Sequence, residues 1–177
     1  MPSTTDSKTE PPEPSTPDVV DVIDRAALIE NIINQVIVGY CTPRKEAWEF
    51  MWSIVLDTSV MSLGAKVKVV KAVSHEMDFN LEKNALHRVI ALRNAFAHHA
   101  SDAHPVLAVG RTPKEDTSYL QFWVLEGSGK TSRVKRHEAF VEFNVAYRKA
   151  RDSLVQLKNM VYERYERSDA SQVAPPK

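Results

Sequence analysis

Leu92-Arg93-Asn94-Ala95-Phe96-Ala97-His98-His99 sets an arginine inside what reads as the apolar stripe of a helix. With Leu86 at zero on a wheel of about 100° per residue, Leu86, Val89, Ile90, Leu92, Phe96 and Ala97 gather in one arc. Apolar residues recurring at this period predict a helix packed among other elements. Arg93 projects close to the centre of the arc, while Asn94, His98 and His87 line its edge. A guanidinium facing a core is costly unless it is paired and hydrogen-bonded. An internal carboxylate (Asp57, Glu76 or Asp78), a partner subunit or a bound phosphate would each satisfy it.

The rest of the chain extends this helical reading. Ile23, Ala26, Ala27, Ile29, Ile33, Val36 and Ile37 predict a first helix from Val19 to about Tyr40, with Asp18 and Asp21 at its N-terminus and Gly39 as its stop. Thr42-Pro43 reads as N-cap and N1 of a second helix carrying Trp48, Phe50, Met51, Trp52 and Val55, a set that reads as core. After a break near Ser59–Gly64, Val67, Val70 and Val73 mark a third helix. Asn80 reads as the cap of the fourth, which runs to about His99. Ser118 to Leu125 has the content of a strand; Gly127-Ser128-Gly129 turns it, and Thr131 to Arg136 returns. From His137 on, Phe140, Phe143, Tyr147, Ala150, Leu154, Leu157 and Val161 step by three and four, a seam for bundle or dimer packing. The expectation is an all-α, up-and-down bundle of four or five helices with a β-hairpin before the last.

The chain has 177 residues, enough for one core. The proline-bearing stretch 1–18 and the end, 168–177, read as disordered arms flanking a helical domain over 19–167. Lys and Arg number 23 against 23 Asp and Glu, so no whole-molecule field draws a polyanion and any electrostatic site is local. Cys41 is the one cysteine, which excludes an internal disulfide and a cysteine zinc cluster. With no basic, apolar leader and no apolar run of about 20 residues, the expectation is a soluble cytoplasmic protein with no membrane partner and no cofactor.

An Arg followed by a polar residue, three more residues and a His, late on a bundle helix, resembles the motif of HEPN domains. Arg93, Asn94 and His98 match it position by position. The segment from Ser62-Leu63-Gly64-Ala65-Lys66 onward is similar to the mannitol-operon-repressor-like branch, where a short loop with a Gly or Ser and a Lys introduces the helix before the motif helix. The likeness covers about residues 45–104. It implies a small helical bundle, commonly a homodimer with the motif near the dimer cleft, and a nucleic-acid-directed regulatory or defence role, toxin–antitoxin systems included. In active members such residues cleave RNA without a metal. His98 would then exchange a proton at the ribose 2′-hydroxyl, Arg93 would hold the phosphate, and Asn94 would orient them. The chemistry is sound, since imidazole titrates near neutrality and a guanidinium matches phosphate oxygens. Arg93 and His98 lie roughly 140° apart on one helix, so a second copy across a two-fold axis answers the geometry. The resemblance equally admits a non-catalytic dimeric regulator or protein-interaction module.

Two further groups carry alternatives. His98, His99, Asp102 and His104 lack the spacing of a tetrahedral metal set, and His99 reads as a helix-end cap favoured by the dipole. Gly127-Ser128-Gly129-Lys130-Thr131 lacks the first glycine and the parallel sheet of a phosphate-binding loop. Lys130, Arg133, Lys135 and Arg136, near Phe122 and Trp123, read either as contacts to a nucleic-acid backbone or as a solvated basic strand edge.

Overall fold

The computed structural model describes residues 17–41, 45–98, 121–126 and 128–172. The chain forms helix α1 (Pro17–Cys41) and helix α2 (Lys45–Phe50), which runs into a π-helical turn (Met51–Val55). Then come α3 (Leu63–Glu76), α4 (Lys83–His98), strands β1 (Gln121–Leu125) and β2 (Thr131–Lys135), and α5 (Arg136–Gln172). This is the expected all-α bundle with an antiparallel hairpin before its last helix. Among the described residues no helix is long and apolar enough to cross a membrane.

Polar cross-links give the directions of the helices. Arg25 donates to Asn144 Oδ1 at 2.6 Å, and further along both helices the Tyr165 hydroxyl donates to the Tyr40 carbonyl, so α1 and α5 run parallel. The Glu82 N–H donates to Ser153 Oγ at 3.1 Å, while Arg88 meets Glu142 farther back along α5. Helix α4 therefore runs antiparallel to α5. The predicted α5 stripe forms the spine of the core: Phe143, Ala150, Leu154, Leu157 and Val161 are buried, and each large side chain contributes about 1.5–3 kcal/mol by leaving water. Ile29, Ile33, Val36 and Ile37 of α1 and Val67, Val70 and Val73 of α3 join the same core.

Several local expectations are corrected. Gly39 does not stop α1, which continues to Cys41. A Cβ on Gly39 would lie 3.2 Å from Val161 and from Tyr162, so the glycine serves the close approach of α5. Asn80 is not the cap of α4, which starts at Lys83. The intervening residues complete the C-terminus of α3: the Phe79 N–H donates to the Ser74 carbonyl and the Asp78 N–H to that of His75, a Schellman closure with Asp78 left-handed at φ 49°. Trp48 and Phe50 are 39% and 62% exposed and so are not core, whereas Met51 and Trp52 of the same expected set are half-buried and pack against it. Trp48 stacks on Trp52, with ring centroids 5.4 Å apart. Helix α5 continues to Gln172, five residues into the stretch expected as a tail. Helix α1 begins at Pro17, two residues inside the stretch 1–18 expected as an arm; the rest of that stretch, 1–16, and the Thr42-Pro43 cap lie outside the described residues.

The buried cation of the core is Lys66, in the first turn of α3. It is 1% exposed, and its ammonium donates to Glu30 Oε1 of α1 at 2.5 Å. Ser62 caps the same helix, accepting from the Ala65 N–H at 3.4 Å. Removing one partner of a buried pair leaves an uncompensated charge. Glu30→Gln is therefore expected to cost about 3 kcal/mol in urea unfolding, with Lys66→Met in that background recovering most of the loss; a cost for Glu30→Gln within experimental error would refute the role given to the pair. Asp78→Gly is expected to stabilise by about 0.5–1 kcal/mol, read as a rise in the denaturation midpoint.

Candidate functional site

The rotation of α4 decides what its polar residues can do. Its buried residues are Ala85, Leu86, Val89, Ala91, Leu92, Ala95 and Phe96, whereas Ile90 and Ala97 are half-buried. The centre of this set lies about 70° round the wheel from the arc expected on apolar size alone. Helix α4 packs against α5, α1 and β1, and the small side chains of Ala91 and Ala95 lie on the side of Arg88, which engages Glu142 of α5 and reaches Glu126 just beyond the end of β1. Arg93 accordingly does not face the centre of the core. It sits half-buried at the border of the packed face, and its guanidinium donates to Asn94 Oδ1 at 3.2 Å.

Among the described residues Arg93 makes no ion pair, and none of the three carboxylates proposed for it takes that role. Asp57 instead accepts from the Ser59 N–H at 2.9 Å and from Ser59 Oγ at 2.5 Å. These bonds hold its carboxyl below the usual carboxylate range. Asn94 and His98 are exposed, one helical turn apart on the same face, and His98 closes the last turn of α4. The structure thus joins Arg93 to Asn94 by a hydrogen bond and sets His98 on Asn94's face of the helix. His99, Asp102 and His104 lie outside the described residues.

Arg88 is the arginine of α4 that carboxylates satisfy. Its Nε and Nη2 donate to the two oxygens of Glu142 at 2.7 and 2.6 Å, and its Nη1 lies 3.7 Å from Glu126. The Glu142 carboxylate holds the guanidinium above its ordinary pKa. One fork thereby ties α4, α5 and the hairpin together. The sequence carried a signal for it, since Arg88 precedes the buried pair Ala91 and Leu92 by three and four residues. Lys66 carried one too, preceding Val70 and Val73 by four and seven.

The hairpin separates its residues by strand alternation. Trp123 pairs with Arg133, Leu125 with Thr131, and Gln121 with Lys135. Trp123, Leu125, Thr131, Arg133 and Lys135 are exposed, whereas Val124 is fully buried. The Arg133 guanidinium lies over the Trp123 ring, 5.2 Å from its centroid. Lys130 is exposed in the turn beside Gly129, whose φ of 83° is open to glycine. Lys135 lies 3.5 Å from Glu138, both exposed. Arg136 leaves this row: it opens α5 and is half-buried. Two of the four predicted basic residues, Arg133 and Lys135, therefore share one exposed side of the hairpin, and Lys130 stands exposed in the turn at its end.

No protein-family model, curated protein or solved structure matched the chain in the comparisons made with it. Arg88→Ala is expected to destabilise the fold by about 1–2 kcal/mol and to raise hydrogen exchange in the hairpin more than in α1. Arg88→Lys should restore little of this, because an ammonium cannot reproduce the two-oxygen fork. Equal exchange in both elements would remove the clamp role.

Proposed function

We propose that this chain is a HEPN-like, nucleic-acid-directed protein in which Arg93, Asn94 and His98 form a metal-independent ribonuclease site completed by a second copy. The observation that carries this reading is the half-buried Arg93 guanidinium, held toward Asn94 and engaged by no carboxylate of the described residues. A cation so placed retains donors for a phosphate, which a guanidinium binds with two parallel bonds. In the proposed reaction His98 takes the proton of the ribose 2′-hydroxyl, the 2′-oxygen attacks the adjacent phosphorus, and Arg93 stabilises the charge that develops there. The 5′-oxygen leaves with a proton from a second imidazole. A two-fold related copy would provide it.

A second reading is favoured by the exposure of His98 and the lack of any described group that orients its ring. A general base is ordinarily held by a hydrogen bond to its other nitrogen. On this reading the protein is a dimeric regulator or interaction module that keeps the arginine for its interface and does not cleave.

Incubating RNA with the purified protein in EDTA separates the two. The nuclease reading predicts cleavage, lost by at least 100-fold in both Arg93→Ala and His98→Ala, with light scattering giving a dimer for all three proteins. Absence of cleavage together with dissociation of the Arg93→Ala dimer would overturn it in favour of the regulator.

A further inference from the structure

The exposed side of the hairpin combines features that a solvated basic edge does not need. Trp123 remains 53% exposed on the strand whose neighbouring residue, Val124, is fully buried. Its partner across the ladder is an arginine stacked on it, not an acid that would neutralise one. On this side of the molecule Lys130 and Arg133 are paired with no described carboxylate, Lys135 lies 3.5 Å from the exposed Glu138, and Glu126 is already engaged by Arg88. The chain as a whole is neutral, so this is a local positive patch.

We propose that this face binds single-stranded nucleic acid, with an unpaired base stacked on Trp123 and the phosphate backbone running along Lys130, Arg133 and Lys135. The inference rests on the reading that the ligand of this chain is nucleic acid; it adds which form is bound and where. An indole has two faces, and Arg133 covers one, leaving the other for a base. Its guanidinium is polarised by the ring and keeps its outward N–H groups for phosphate. Arg133 and Lys135 stand two residues apart on one strand face, about 7 Å at a rise of about 3.4 Å per residue, comparable to successive phosphates of an extended strand. Duplex bases are stacked on one another and offer no face to an indole on a flat hairpin, whereas every unpaired base has one free. Selectivity for single strands over duplex follows, with little dependence on sequence.

The test uses fluorescence anisotropy on the full chain with labelled oligouridylate, a deoxy strand of matching length and an RNA duplex. Trp123→Ala is expected to weaken single-strand binding about tenfold or more, Trp123→Phe to keep most of it, and duplex to bind more weakly than single strand. The slope of log K against log salt is expected near −2 for three cations, becoming shallower by about 0.7 in Lys130→Ala. Since these side chains are exposed, circular dichroism should not change. Single-strand binding unaltered by Trp123→Ala and Arg133→Ala would overturn the inference while leaving the nucleic-acid reading intact, and so would equal affinity for duplex. A change of oligomeric state in Trp123→Ala, with RNA affinity unchanged, would make the face an interface between copies and overturn it as well. Absence of any binding by the wild-type chain at low salt would overturn both. Loss of cleavage alone in Arg93→Ala or His98→Ala, with binding retained, leaves the hairpin assignment standing.

Discussion

Arg88 forks onto both oxygens of Glu142 and reaches Glu126, and with that one side chain α4 is fixed in rotation against α5 and the hairpin. Five residues on, Arg93 is carried about 140° round the helix. Two arginines so spaced cannot serve the same neighbour. Satisfying Arg88 on the side of α5 and β1 leaves Arg93 at the opposite border of the packed face, where Asn94 is its described partner. A further five residues bring His98 round by the same angle, onto the exposed face of Asn94. The arrangement of the candidate site is thus a consequence of how the helix is clamped.

A separate cation meets the core's electrostatic demand. Lys66 is buried in the first turn of α3 with its charge balanced by Glu30, so the α1–α3 contact carries an ion pair within apolar packing. Such a pair stabilises little against a hydrophobic replacement, but breaking it is costly. It therefore acts as a register constraint between two helices. With Lys66 and Arg88 both matched to carboxylates, Arg93, Arg133 and Lys130 are the cations of the two candidate surfaces that no described carboxylate pairs. A neutral chain can in this way present localised positive groups without a global field.

The hairpin has two roles that follow from strand alternation. Its buried side, with Val124, packs against α4 and α5 and joins their core. Its other side holds the Trp123–Arg133 stack in the open. The same two strands that help cover α4 therefore present the second cationic surface.

From the residues alone, the periodic seams of α1, α3 and α5, the turn at Gly129 and the helical architecture were readable. Spacing by three and four, or by two, is a property of the chain itself. The motif residues Arg93, Asn94 and His98, and the basic run from Lys130 to Arg136, could also be picked out by type and interval. Their relation to the core could not. The wheel of α4 misplaced Arg93 because apolar size was taken as burial, and only packing shows that Ala91 and Ala95 lie inside while Ile90 is half out. The spacing of Lys66 and Arg88 to buried neighbours could not name their partners, because Glu30 and Glu142 come to them from 36 and 54 residues away. Gly39 looked like a stop because the approach of Val161 and Tyr162 lies beyond any local window. Local period is written in neighbouring residues, whereas burial and charge pairing depend on which distant surface arrives, and only the tertiary fold decides that.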